Sequence, residues 1–162
     1  MSEGSLVKHI DNFFTEEEYK KIFDYCMKAP YFYGEADTAD KPPVGMVSEI
    51  LELEISDMIL DKIKKSIPEV SNLSVYRMYI NCFAPGENPY FHIDNETGIT
   101  CIYYVNPEFD LDNNGETQFI IDNESGNVLP VPNRMCYFES NILHRATSYR
   151  KNHRFTIAIK YA

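Results

Sequence analysis

Tryptophan is missing from the 162 residues, and basic side chains are scarce: 15 Lys and Arg stand against 25 Asp and Glu, a formal net charge of -10. A surface of that sign repels phosphate backbones and anionic lipid, so no nucleic-acid partner and no membrane partner is expected, and only a local basic site is left open. No apolar run approaches the roughly 20 residues of a membrane-spanning helix. The opening stretch MSEGSLVKHIDNFF lacks a basic start followed by an apolar run, so no leader is expected. The four cysteines, Cys26, Cys82, Cys101 and Cys136, form neither a C-x-x-C pair nor a dense disulfide frame. They read as reduced core thiols, which fits a cytoplasmic protein. No recognisable hydrolase motif is present either.

What the chain does contain fits one domain spanning 1–162, with 44% hydrophobic residues and 14% aromatics carried by Tyr and Phe. Thr15 and Glu18 have the spacing of a capping box, with Phe14 and Tyr19 placed as a hydrophobic staple, so a helix is expected to about Lys28 with Ile22, Phe23 and Cys26 facing the core. Ile55, Met58, Ile59 and Ile63 repeat at helical spacing up to Pro68, which predicts a second helix over 54–67. Residues 30–46 between them have no period and read as a long loop, either a lid or disordered. From Leu73 the pattern changes to short runs at 73–83, 99–105, 116–121, 134–139 and 153–161, with shorter candidates at 90–93 and 127–129. Runs of that length between Pro-Gly, Asn-Asn-Gly and Pro-Asn turns predict an α+β, mostly β fold: a double-stranded β-helix (jelly roll, cupin-like) core over about 71–162, braced by helices from about 1–70.

The chemistry-bearing residues lie in that second half. His92 and Asp94 are two apart, so in extended chain both side chains project to one side and reach one metal. With four His and ten Asp in the chain, such a triplet alone is close to what chance supplies. His144 follows downstream, before a turn-like stretch at 147–152; if that stretch makes a hairpin, His144 lies opposite Arg154. In the last run Arg154, Thr156 and Ala158 alternate with Phe155, Ile157 and Ile159, so the arginine shares a face with a hydroxyl and a small side chain. Two imidazoles and a carboxylate occupy one face of an octahedral iron and leave positions open for a bidentate ligand and dioxygen, and an arginine nearby offers a fork for a carboxylate.

With these residues in view, the last ninety or so positions resemble the iron(II)/2-oxoglutarate oxygenases of the prolyl 4-hydroxylase type. His92-Ile93-Asp94-Asn95 followed by Thr100-Cys101-Ile102-Tyr103-Tyr104-Val105-Asn106 is similar to the corresponding run of the animal oxygen-sensing prolyl hydroxylases. Asn114-Gly115-Glu116-Thr117-Gln118-Phe119 is similar to the family's G-G-E-T-x-F turn, and a basic residue ten positions after the distal histidine is the family's spacing. Ile10-Asp11-Asn12-Phe13-Phe14-Thr15 resembles the usual entry into the first helix.

The resemblance implies that His92, Asp94 and His144 ligate Fe(II) and that Arg154 pairs with the distal carboxylate of 2-oxoglutarate, helped by the Tyr104 hydroxyl. Thr156 matches a hydroxyl beside that arginine, and Thr100 and Ile102 share the cofactor wall with Tyr104, while Ile99, Cys101, Tyr103 and Val105 turn to the opposite side. It implies O2 as oxidant, ascorbate as accessory reductant, and hydroxylation of a peptidyl proline or other protein side chain. Two alternatives stay open: a free amino acid or small metabolite as substrate, and a non-catalytic cupin-like metal-binding or sensor module. Asn95, Glu87 and Tyr90 read equally as site neighbours or as turn residues, while Arg145 and Arg150, which flank the distal histidine and could meet an acidic substrate, read first as solvated loop charges. Two positions depart from the family: Phe83, where several relatives carry tyrosine, and Lys160, where prolyl hydroxylases commonly have tryptophan.

Overall fold

The first helix, α1 (Glu16–Lys28), starts where its N-terminal amides find partners. Thr15 accepts from the Glu18 amide at 3.2 Å and the Glu18 carboxylate accepts from the Thr15 amide at 2.9 Å. Ile22 and Cys26, one turn apart, are buried. A second helix, α2 (Leu53–Ser66), buries Ile55, Ile59 and Ile63 at four-residue intervals and ends before Pro68, which begins a single 3-10 turn. The structure, a computed structural model, describes residues 5–162.

Ten strands carry the rest. β1 (Val7–Ile10), β2 (Phe32–Tyr33), β3 (Met46–Glu49), β4 (Val75–Phe83), β5 (Ile99–Tyr104), β8 (Met135–Glu139) and β10 (Arg154–Tyr161) form one sheet in the order β1-β8-β5-β10-β4-β3-β2. The strands β6 (Thr117–Ile121), β7 (Glu124–Val128) and β9 (Leu143–Arg145) form a second sheet in the order β7-β6-β9. Every pairing is antiparallel. This is the double-sheet jelly roll expected of the second half. The first seventy residues add more than a helical brace, because β1, β2 and β3 extend the large sheet at both ends. Strands of two to four residues at sheet edges are too short to show a period, so they are invisible to pattern reading. Among the described residues no helix is long and apolar enough to cross a membrane.

The large sheet is two-faced, and the alternation of its strands decides what each face does. Its outer face packs Met78, Ile80, Cys101, Tyr103, Ile157 and Ile159 against Ile22, Ile55, Ile59 and Ile63 of the helices. Full burial of such aliphatic side chains contributes about 1.5–3 kcal/mol each. The inner face meets the small sheet through Tyr104, Cys136 and Phe138 against Phe119 and Val128. Towards one end of this inner layer apolar packing gives way to the cavity described below. All four cysteines are buried free thiols, as expected.

One side chain joins the helix entry to the sheet. Asn133, held at φ 63°, donates from Nδ2 to the Phe14 carbonyl at 2.8 Å, and its Oδ1 accepts from the Phe14 amide at 3.1 Å and the Tyr103 hydroxyl at 2.7 Å. Removing the amide strands three polar groups at the base of α1. Asn133→Ala is therefore expected to lower unfolding stability by about 2–3 kcal/mol, read as a shift of the urea midpoint at constant m.

Candidate metal centre

After β4 the chain turns at Ala84–Glu87, where the Glu87 carboxylate accepts from the Ala84 amide at 2.6 Å. It then runs across the open end of the jelly roll. At His92 it forms one antiparallel bridge with His144, the amide of each donating to the carbonyl of the other at 3.0 Å. The two imidazoles thus come from paired backbone positions, with ring centroids 4.5 Å apart. Asp94 is anchored by its own amide, which donates to the Ser140 carbonyl at 2.9 Å.

His144 sits on β9, which pairs with β6 so that His144 is opposite Phe119. The expected hairpin setting His144 against Arg154 does not form. Arg154 begins β10 in the other sheet, opposite Phe83 of β4, and faces the histidine side of the cavity from across the sandwich. The stretch after His144 passes from one sheet to the other instead of doubling back, with the Thr147 hydroxyl donating to the Glu116 carbonyl at 2.7 Å and the Ser148 amide to Asn88 at 3.0 Å.

Both imidazoles are oriented by backbone. Nδ1 of His92 meets the Tyr90 carbonyl and Nδ1 of His144 the Ile142 carbonyl, each at 2.8 Å. A carbonyl only accepts, so each Nδ1 carries a proton and each Nε2 points inward. His92 Nε2 lies 3.4 Å from Oδ1 of Asp94, and His144 Nε2 lies 3.4 Å from Oδ2. The three donors fall within 4.8 Å of one another. Each Nε2 faces an Asp94 oxygen, so the contact needs either a proton on the imidazole or a cation shared by all three atoms. The donor set therefore fits a divalent metal, and two imidazoles with one carboxylate suit iron(II) with positions left open.

The carboxylate is supported on all sides. Thr100 Oγ1 donates to Oδ2 at 2.8 Å and lies 2.9 Å from Ser140 Oγ, and Lys160 Nζ is 3.2 Å from Oδ1. Burial by itself raises the Asp94 carboxyl, but hydrogen bonds from His144 and His92, with the His144 and Lys160 charges, overcome it and hold it well below the usual carboxylate range. Burial likewise works against a charged His92, yet the same carboxylate and the Tyr90 carbonyl raise it above its ordinary value. Thr100, expected on the co-substrate wall, lines the cavity but spends its hydroxyl on Asp94, because it stands opposite Lys160 in the sheet register.

Arg154 lies across a cavity of about 150 Å³ whose walls also include Asn81, Thr156 and Ala158. It is 1% exposed. Its Nε donates to the Gly115 carbonyl at 2.8 Å and Nη2 to Thr117 Oγ1 at 3.1 Å, and no carboxylate of the described residues lies within ion-pair distance. Burial pulls its pKa down. A buried charge without a counter-ion is costly, so a guanidinium facing a cavity is fitted to an anion from outside the chain. Gly115 makes this geometry available: at φ 90° a Cβ would collide with the Tyr149 ring.

Of the other sequence-expected residues, Thr156 and Ile102 line the cavity. Tyr104 does not. It is fully buried, with its hydroxyl 2.7 Å from Thr117 Oγ1 and its ring beneath the Arg154 guanidinium at 5.7 Å, so its hydroxyl reaches Arg154 only through Thr117. Sequence reasoning misses Thr117, although it stands in the Gly-Glu-Thr motif, and Asn81, which alternates into the cavity with Tyr79 and Phe83. Asn95 and Glu87 serve their own turns. Tyr90 donates its amide to Asp37, and Arg145 hydrogen-bonds Gln118 beneath the Phe91 ring. Residues 30–46 are part of the site wall, since Glu35, Ala36, Asp37 and Val44 line the cavity and Arg77 holds Glu35 at 2.6 and 3.1 Å.

No protein-family model matches the chain, and no curated protein matches it in sequence. Solved structures do match in shape. An oxidoreductase of the 2-oxoglutarate–Fe(II) oxygenase family from Burkholderia pseudomallei superposes with a TM-score of 0.76 at 14% identity, over 97% of this chain and 85% of that one. A prolyl hydroxylase in complex with a hypoxia inducible factor oxygen degradation domain peptide fragment, from Trichoplax adhaerens, gives 0.75 at 17% identity over 96% and 83%. HygX from Streptomyces hygroscopicus, with nickel, 2-oxoglutarate and hygromycin B bound, gives 0.77 at 10% identity over 98% and 83%. The chain has the jelly-roll fold of these oxygenases.

The donor geometry carries a direct expectation. Equilibrium dialysis against Co(II) should find one bound ion per chain. Asp94→Ala and His144→Ala should each weaken binding by more than the roughly 100-fold that loss of an outer partner costs, and Thr100→Val should weaken it by roughly 10- to 100-fold.

Proposed function

We propose that this chain is an Fe(II)- and 2-oxoglutarate-dependent dioxygenase that hydroxylates a C–H bond of a peptidyl proline or another protein side chain. The observation that carries the reading is the pairing, across one cavity, of a His-Asp-His donor set with a buried arginine that has no carboxylate partner among the described residues. A site that only stored metal would have no use for that arginine, and a structural zinc site would close with a fourth ligand.

When bound, the metal with 2-oxoglutarate and O2 supplies the oxidising chemistry: substrate, O2 and 2-oxoglutarate become hydroxylated substrate, succinate and CO2. The protein binds, orients and shields. His92, Asp94 and His144 hold the metal. Arg154 takes the distal carboxylate of the keto acid, with the Thr156 hydroxyl and the Asn81 amide alongside in the cavity wall. Gly115 and Thr117 aim the guanidinium, and Tyr104 steadies Thr117 from the core side. The 30–46 segment, tied down through Glu35 to Arg77 and through Asp37 to the Tyr90 amide, limits access of water. Four free buried thiols fit a reducing compartment, the cytoplasm.

A protein substrate is supported by the peptide held by the Trichoplax neighbour. A small-molecule substrate is the second reading, supported by hygromycin B in HygX and by the small, mostly polar cavity.

Purified protein supplied with Fe(II), ascorbate and 2-oxoglutarate should release succinate, and His92→Ala should abolish it. Arg154→Leu should raise the KM for 2-oxoglutarate at least roughly 30-fold, corresponding to about 2 kcal/mol for truncating a buried charge partner. A protein that binds Co(II) but neither binds nor consumes 2-oxoglutarate would be a metal-binding module instead.

A further inference from the structure

Two cations stand over the Tyr79 ring at the mouth of the cavity, and only one of them is neutralised independently of the metal site. The Arg77 guanidinium lies 3.7 Å from the ring centroid and is paired with Glu35 at 2.6 Å and Glu49 at 2.8 Å. Lys160 Nζ lies 5.1 Å from the same centroid and hydrogen-bonds the neutral Tyr79 hydroxyl, and its one carboxylate partner among the described residues is Asp94 at 3.2 Å. The Lys160 side chain is 14% exposed and lines the cavity, on the same inward face of β10 as Arg154 and Thr156.

A metal among His92, Asp94 and His144 draws on the one carboxylate that Lys160 depends on. A divalent ion then outweighs Asp94, and the two charges of 2-oxoglutarate answer what remains of the ion together with Arg154. The charge of Lys160 is left unanswered in a site mostly shielded from water, where an unpaired ammonium is costly. Among the described residues no other carboxylate lies within ion-pair distance of it: Glu35 is held by Arg77, and Asp37 accepts from the Tyr90 amide at 2.8 Å and faces His92 Nδ1 at 3.6 Å. The overall charge of -10 works against anions at a distance, but such fields are screened beyond a Debye length of about 8–10 Å, so attraction must be local.

We infer that Lys160, beside Tyr79, is an anion subsite of the substrate pocket, and that the substrate carries a carboxylate close to the carbon that is hydroxylated. The inference rests on the oxygenase reading above and names its substrate class. The single ammonium of Lys160 matches a monoanionic carboxylate better than a phosphate of charge about -1.5 to -2, the more so because the Asp37 carboxylate lines the same cavity. It also disfavours an isolated peptidyl proline, which is neutral and leaves the ammonium unanswered. An acidic side chain of a protein and the free carboxylate of an amino acid present the same group.

The test uses Ni(II)-loaded full-length protein saturated with 2-oxoglutarate, so that no turnover occurs, with binding read by isothermal titration calorimetry. Probes are end-blocked pentapeptides Gly-Gly-X-Gly-Gly with X as Asp, Asn, Glu, Gln or Pro, and the free amino acids aspartate, glutamate and proline, each beside its α-carboxamide. At least one acidic probe should bind ten-fold or more tighter than its amide partner, with the peptide and free-acid arms telling the two sources apart. Lys160→Met should erase that preference and Lys160→Arg should keep it, each variant being titrated with probes only at Ni(II) and 2-oxoglutarate concentrations shown by a prior titration to saturate it. Equal binding of acids and amides, no binding of any acid, or a preference that survives in Lys160→Met overturns the inference. Failure of the Ni(II) protein to bind 2-oxoglutarate would instead remove the oxygenase reading, and is seen in the first titration before any probe is added.

Discussion

The inner layer of the protein is organised around one buried negative charge. The Asp94 side chain is 3% exposed, and a carboxylate there is tolerable only because the fold brings two imidazoles, a hydroxyl and an ammonium to its two oxygens. Those partners come from four separate places: the crossing segment at His92, β5 at Thr100, β9 at His144 and β10 at Lys160. Satisfying Asp94 therefore requires both sheets to be closed and in register. The apolar cluster of Phe119 and Phe138 packs directly on the His144 ring and fixes it from the dry side, with Phe138 4.7 Å away and edge-on.

Buried charge also gives the cavity its polarity. At one end a carboxylate sits among groups that can bring a metal; at the other a guanidinium sits among neutral acceptors, a carbonyl and a hydroxyl. Between them the lining is small or neutral, with Thr156, Ala158 and Asn81 on the sheet floor. An elongated dianion that chelates a metal at one end and meets a guanidinium at the other is complementary to that arrangement. The cost of keeping Arg154 dry is carried by close packing around it, including the Gly115 turn pressed against Tyr149. Ligand recognition is thus built into the same contacts that close the sandwich.

The helices act on this site only indirectly. They cover the outer face of the large sheet, and their burial holds β4, β5 and β10 in place behind the residues that line the cavity. Asn133 links that brace to β5 through Tyr103, the neighbour of Tyr104 in the chain but on the opposite face. Adjacent residues of one strand thereby serve different layers, Tyr103 the helix core and Tyr104 the arginine support.

Local periodicity carries much of this in the sequence. The capping box at Thr15 and Glu18, the isoleucine stripe of α2 and the alternation along β5 and β10 are statements about neighbours in the chain, so the helix positions and the inward face of Arg154 and Thr156 are legible from the residues alone. His92, Asp94 and His144 are legible as residue types in order, with the family resemblance supplying their connection. Other features depend on which segments meet after closure. No local pattern places His144 on the small sheet, moves Thr100 to Asp94, inserts Thr117 between Tyr104 and Arg154, folds 30–46 into the wall, or sets Lys160 beside a ligand carboxylate. Those contacts join residues roughly 6 to 66 positions apart, and a period of two within a strand says which face a side chain takes but not what stands across from it. The chain sequence determined the faces, and the packing of one sheet on the other decided which charges would be paired and which would be left for a ligand.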